Sequence, residues 1–320
     1  MGGTCLGKQF PRITVERYHE LTTQLSCHLQ HYFNKVAFPT VFSDKDSFGD
    51  IDILVSTPFN STWKQDLFKW LDIKLAKSNG NIHSFEFGQA QIDLILVPPE
   101  EFDFQLKYLS YGDMGNLIGR IARHKHYKFG GKGFFFPQND KDVLISHDWN
   151  ESINFLGWTT EFPGGTKKDM FDWIISSRFY NPAIYLFENR NYSGKHRDSK
   201  RQTYLDFLEY TKDHTGSPLV RPDKYECLNE ALNKFPKFCR AFAKNLSDLA
   251  EAREISEKFN GNIVAEVTGL SGKELGDFIQ YFMHSYCFNF MALVVETSKE
   301  NMRAYILLAY TEWAKNYSRT

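Results

Sequence analysis

Residues 45–55 read KDSFGDIDILV, with Asp50 and Asp52 one residue apart in an apolar run that opens directly after Gly49. The alternation Asp50-Ile51-Asp52-Ile53 has the period of a β-strand, in which residues two apart share a face. Both carboxylates then point to one side and the isoleucines to the core. Charge in such a place is costly unless it is paired or holds a metal. Further on, AQIDLILV (90–97) repeats the device with Asp93, and Pro98-Pro99 end the run. If the two strands are neighbours, three carboxylates converge. Three hard oxygen donors with room for phosphate oxygens and water suit Mg²⁺. A pair of such ions clamps the attacking and leaving oxygens of an in-line phosphoryl displacement. Asp93 would also be placed to accept the proton of an attacking hydroxyl. The plainer reading of Asp-x-Asp is an edge strand with a wet face; Gly49, which lets a phosphate approach the backbone, favours the site.

Around these strands the pattern is mixed. Residues 14–33 have helical spacing, and 51–56 and 90–97 read as strands. Residues 62–78 read as an amphipathic helix ending at Asn79-Gly80, and 82–87 as extended. Residues 101–127 read as helical with a break near Gly112, and 130–137 and 142–146 as strand or turn. Beyond FPGGTKK (162–168) only helical patterns remain, at 168–187, 199–213, 223–259, 273–296 and 299–316. The expectation is an α/β unit of the α+β kind with a small mixed sheet over residues 1–160, followed by an all-α domain over 161–320.

Composition limits the function classes. The 320 residues are 42% hydrophobic and 16% aromatic, enough for a large core. A net charge of −1 gives no global pull toward nucleic acid or anionic membrane, so such binding must come from a local patch. The five cysteines, Cys5, Cys27, Cys227, Cys239 and Cys287, form no CxxC pair. They fit reduced thiols in the cytoplasm and argue against a zinc ribbon. The N-terminal MGGTCLGKQFPR lacks the apolar stretch of a signal peptide, and no run is long enough to span a membrane.

The segment IDLILVPPEEFDFQLKYLSYGDMGNLIGRIARHKHYKFGGKGFFF (92–136) resembles the palm-to-thumb region of the family X DNA polymerases. There the third catalytic aspartate opens a strand that ends in a Pro-rich turn, followed by a helix, a sugar-contacting turn, an Asn, a basic helix and a Gly-Leu-Phe-like strand. KDSFGDIDILV resembles the Gly-Asp-x-Asp strand of the same family, and the likeness spans residues 14–160. It implies a nucleotidyltransferase palm, with Asp50, Asp52 and Asp93 as catalytic residues and ligands of two Mg²⁺ ions, for which Mn²⁺ can substitute. It also implies a nucleotide site, for an NTP or dNTP, at Thr40, Ser43, Lys45, Gly49, Tyr108, Ser110, Asn116 and Arg120. The sequence departs from the family where that family reads Gly-Ser before the first aspartate. Pro39-Thr40 stands there instead, and Pro39 offers no N–H. An arginine of the family is Ser43, and the glycine of the sugar turn is Tyr111.

In the second half, ENRNYSGKHRDSKRQTY (188–204) reads as a basic loop with tyrosines interleaved. Arg190, Lys195, Arg197, Lys200 and Arg201 are candidate nucleic-acid contacts, the alternative being a solvated loop. In the pair His124 and His126, the spacing sets the rings on different helical faces, which suits phosphate or solvent better than a metal. KFNGNIVAEVTGLSGKELGDFIQYF (258–282) reads first as helix capping and close packing; it also faintly resembles the helical body of tRNA nucleotidyltransferases. About 35 residues precede the palm, too few for the DNA-holding modules of repair polymerases. The expected partners are therefore an NTP or dNTP and a nucleic-acid acceptor, RNA or a tRNA end before DNA, with no membrane. A small family-X-like DNA polymerase is the nearest alternative, and transfer to a protein or small-molecule hydroxyl is another. An inactive nucleotidyltransferase fold serving as a nucleic-acid-binding module is the rival outside the enzymes.

Overall fold

The computed structural model describes residues 5–138, 141–189, 191–285 and 290–317. The chain divides into two compact units, residues 1–239 and 240–320. The expected boundary at 160 thus falls inside the first unit.

The first unit begins with β1 (Ile13–Thr14), α1 (Val15–Leu29), β2 (Phe33–Ala37), β3 (Ser47–Phe48), β4 (Ile51–Pro58) and α2 (Trp63–Trp70). There follow β5 (Ala76–Asn79), β6 (Ile82–Phe87), β7 (Ala90–Leu96), α3 (Phe102–Leu109) and α4 (Met114–His124). Next come β8 (Lys128–Gly130), β9 (Gly133–Gln138), β10 (Lys141–Ser146), α5 (Trp149–Phe155), α6 (Lys167–Ile175), α7 (Tyr192–Asp198), α8 (Gln202–Tyr210) and α9 (Lys224–Lys234). A mixed five-stranded sheet has the order β2-β4-β7-β6-β5, in which only β4 and β7 are parallel. Strands β10-β9-β8 form a second, antiparallel sheet. This is an α+β fold.

The two faces of β4 and β7 explain where charge is tolerated. Ile51, Ile53, Ile92 and Leu94 join Leu21, Leu25 and Leu29 of α1 and Leu67 of α2 in one core. On the other face Leu54, Ile95 and Val97 pack under Phe102 of α3. Asp52 and Asp93 lie on that second face, two residues before Leu54 and Ile95, where the face still carries polar side chains.

Three sequence expectations are corrected here. Residues 62–78 are not one helix: α2 stops at Trp70, Asp72 has φ 52°, and 76–79 pair with 82–85 as a hairpin. Asn79 ends β5 and Gly80-Asn81 form the hairpin turn, so Asn79-Gly80 is not a helix cap. The helical run 223–259 is broken at Phe235, which is extended at φ −120° because Pro236 follows it. The run 168–187 is not one helix but α6 followed by short 3₁₀ turns around Pro182 and Phe187, whereas the expected helix over 199–213 is present as α8.

Helices α5 to α9 belong to the first unit because they are anchored in it. Trp158 stacks on Trp173 at 4.8 Å and donates its indole N–H to the Trp173 carbonyl. Tyr185 donates to the carbonyl of Leu117 in α4, Tyr127 donates to that of Cys227, and Lys125 pairs with Glu230. The second unit holds most of α10 (Pro236–Lys258), then α11 (Gly261–Thr268), α12 (Gly272–Ser285), α13 (Phe290–Glu296) and α14 (Lys299–Tyr317). Its core is built on Val264, Phe278, Phe282, Met302, Ile306 and Trp313. The expected helix over 273–296 corresponds to α12 and α13; Cys287, between them, lies outside the described residues. No helix among the described residues is long and apolar enough to cross a membrane.

Candidate active site

Parallel pairing sets Asp52 of β4 directly beside Asp93 of β7, with Asp50 just ahead of β4. Because the register is residue-for-residue, the two carboxylates share a face and a level. Burial first, and then the charges of Asp50 and Asp93, push the Asp52 carboxyl up to about 7. Burial and Asp52 likewise push the Tyr18 hydroxyl up to about 12. Asp93 is held by its strand neighbour Gln91, whose amide Nε2 donates to both carboxylate oxygens at 3.0 and 3.2 Å. The Gln91 Oε1 in turn accepts from the backbone N–H of Cys5. Among the described residues no three His, Cys, Asp or Glu side chains are gathered closely enough to hold a metal as they stand.

Asp50 and Asp52 line a cleft of about 810 Å³. Across it stand Arg197, Lys200 and Arg201, and Arg12 and Lys45 line it as well. Those five cations face three carboxylates, Asp50, Asp52 and Asp113, a surplus suited to a polyanion. Lys45 lies over the Phe48 ring at 4.3 Å, and burial lowers its ammonium against the pull of Asp50 and Asp52. Tyr18 stacks on Phe48 at 4.0 Å and completes that wall.

The basic wall is built, not loose. Residues 192–198 are helix α7, capped by the Asn191 side chain accepting from the Gly194 N–H, so the expected loop is in large part a helix. It also carries compensating acids. Asp198, fully buried, accepts from Arg197 Nε at 3.0 Å and meets Arg120 at 3.3 Å, while Asp113 pairs with Arg201. Asn116 bridges the set: its Oδ1 accepts from Arg197 Nη2 at 3.2 Å. These contacts clasp α7 to α4 and fix the cations opposite the carboxylates. Asn116 and Arg120 are thus engaged within the protein, and neither is among the residues that line the cleft.

The remaining predicted residues divide. Thr40 and Gly49 line the cleft. Thr40 spends its N–H on Ser110 Oγ at 3.0 Å and its carbonyl on the Tyr111 N–H. Ser43 is not among the lining residues, and its N–H goes to the Gly165 carbonyl. Ser110 is buried and bonds Leu106 and Thr40, a structural bridge at the turn. Tyr108 packs on Phe129 and Gly115. At the turn itself Leu109 and Gly112 reach the cleft, while Tyr111, at φ 57°, packs edge-on to Phe162. Lys195 is exposed and away from the lining, and Arg190 lies outside the described residues.

Arg12, Tyr18 and Gln91 were not singled out from sequence. Gln91 had a legible signal, a polar residue two positions before Asp93 on the same strand face. Arg12 and Tyr18 had none, since they reach the cleft only through the tertiary fold.

No family model matches the sequence. No curated protein matches it either. Among solved structures the chain is similar to Leishmania infantum polymerase beta in a ternary P/T complex, with 12% identity and a TM-score of 0.36, over 46% of this chain and 73% of that one. So loose a likeness says nothing about chemistry, and function rests on the site.

Proposed function

We propose that the protein is a nucleotidyltransferase. It moves a nucleoside monophosphate from an NTP or dNTP to the 3′-hydroxyl of a nucleic-acid acceptor, forming the 3′-O–Pα bond as the bond to the β-phosphate breaks and pyrophosphate leaves; an RNA end is the acceptor to try first. The observation that carries this reading is that Asp52, paired with Asp93 on the neighbouring strand, lines with Asp50 the same cleft as Arg197, Lys200 and Arg201. Asp50, Asp52 and Asp93 are the residues that would hold Mg²⁺. Their donors are all oxygen, and a divalent cation would offset both the burial and the neighbouring charges that raise Asp52. Bound there, the metal supplies charge neutralisation for phosphoryl transfer. The chain supplies the rest. The clasped cations neutralise phosphate charge, and Gln91 orients the Asp93 carboxylate toward the acceptor hydroxyl.

One observation favours a second reading, a nucleic-acid-binding module without activity. The N–H groups of Thr40 and Ser43, on the segment expected to grip the triphosphate, are spent inside the protein. Incubation with Mg²⁺, each labelled NTP and dNTP, and three acceptors separates the readings: total tRNA, single-stranded DNA and a primed template. Incorporation that disappears in Asp50→Ala and Asp93→Ala supports the enzyme, and the extended acceptor names its class. Absence of both incorporation and Mg²⁺-dependent nucleotide binding sinks the enzyme and makes the binding module the leading reading.

A further inference from the structure

Helix α4 carries a polar stripe that leaves the cleft. Asp113 and Asn116 meet α7 and the segment after it, Arg120 follows one turn on, and Arg123 and His124 one turn further. Arg120 is shared between two places. It pairs with the buried Asp198, and it also lines a second cavity of about 390 Å³. Arg123, His124, Arg221, Asn189 and Asn191 line that cavity too, and no carboxylate lines it among the described residues.

The cations there are positioned by the fold. Arg221 donates from Nε to the His124 carbonyl at 3.3 Å and from Nη2 to the Arg123 carbonyl at 3.0 Å. It thereby caps the open C-terminal end of α4 and keeps further N–H donors for a ligand. Arg123 is exposed, and none of the ion pairs among the described residues involves it. Arg221 is held in place and Arg123 stands exposed, neither with a carboxylate partner among the described residues, which suits both to phosphate oxygens. Beside the cavity, next to Asn191, Tyr192 is 84% exposed and its ring lies parallel to that of His196 at 6.3 Å. An open aromatic face next to fixed cations is the arrangement that holds single-stranded nucleic acid, bases stacking while phosphates pair.

We propose that this cavity, together with Tyr192, is a distal phosphate-and-base site for a single-stranded nucleic acid whose end reaches the cleft. From Asp113 to Arg123 the helix rises about 15 Å, the reach of a few nucleotides. That the strand is the acceptor rests on the nucleotidyltransferase reading; that the cavity binds a strand does not.

The test is fluorescence anisotropy of a labelled single-stranded oligonucleotide on the full chain, without NTP, across a salt series. Arg123→Ala should weaken binding roughly tenfold and lower the salt slope by about 0.7, one phosphate contact. Tyr192→Ala should weaken binding with the slope unchanged, because stacking releases no counterions. Both side chains are exposed, and thermal melts of the variants exclude misfolding. Unchanged affinity and slope in both variants overturn the proposal. So does an Arg123→Ala effect confined to inorganic phosphate, which would make the cavity a small-anion site. Asp52→Asn separates the two readings. It should lose transfer yet bind the oligonucleotide as the unmutated chain does. An Arg123 effect in a protein that transfers nothing to any acceptor sinks the enzyme reading and leaves the site standing.

Discussion

Gln91 is the residue on which the aspartate site most depends without being one of its acids. Buried beside Asp93, it is that carboxylate's amide donor through two hydrogen bonds and is itself fixed by the Cys5 N–H. Gln91→Leu should keep the volume, free the Asp93 carboxylate and cut kcat/KM roughly 10- to 100-fold, as loss of an orienting partner does. Steady-state kinetics with the best acceptor checks it, and an unchanged rate would remove Gln91 from the mechanism. Asp172 is a second residue whose charge has a legible consequence. Hydrogen bonds from Lys168 Nζ at 2.8 Å and then from Tyr210 hydroxyl at 2.6 Å hold its carboxyl below the ordinary range. A depressed carboxylate stabilises the fold fully above its unfolded value, near pH 4, and that contribution fades as pH falls through the folded value. The difference in Tm between the unmutated chain and Asp172→Asn should therefore be present at neutral pH and shrink below about pH 4. At this scale the three aspartates were legible because a strand's period is two and a charge in an apolar run stands out. The ion pairs that fix the basic wall were not, because Asp198 and Arg120 are 78 positions apart in sequence and Asp113 and Arg201 are 88.

Between elements, the crossing of α3 and α4 decides where the turn at Tyr111-Gly112 sits. Gly115 lets α4 approach α3 so closely that a Cβ there would meet the Tyr108 ring and carbonyl oxygen at 2.6 Å. Gly115→Ala should cost about 1–3 kcal/mol by overpacking, read from denaturant midpoints. It should also disturb the cleft, since Leu109 and Gly112 line it. Helix α9 begins at Asp223, whose carboxylate accepts from the N–H groups of Tyr225 and Glu226 at 2.8 and 3.0 Å. Asp223→Ala should lower stability by about 1 kcal/mol while leaving nucleotide binding intact. Elements were legible wherever a local signal was unopposed, as in β4, β7 and the break before α4. They were misread where one signal serves two structures. Asn-Gly caps helices and turns hairpins, and only the pairing of 76–79 with 82–85 chose the hairpin.

Each unit has a core of its own, one against the sheet of the first unit and one among α11, α12 and α14 of the second. Leu25 and Phe278 are fully buried, one in each. Leu25→Ala should cost about 2–5 kcal/mol and Phe278→Ala about 3–5 kcal/mol, each shifting a different calorimetric transition. One transition moved equally by both would show that the units unfold together. The sequence by itself determined the α+β character of the first part, the helical character of the rest and the three aspartates. All of these follow from short-range periodicity and from the cost of charge in an apolar strand. Tertiary structure alone decided that the first unit runs to residue 239, because aromatic stacking and long-range hydrogen bonds tie α5 to α9 back onto α4 and the small sheet. It alone set Arg197, Lys200 and Arg201 across from Asp50 and Asp52. Residues about 150 positions apart meet only when packing closes the chain on itself, and no local pattern records that meeting.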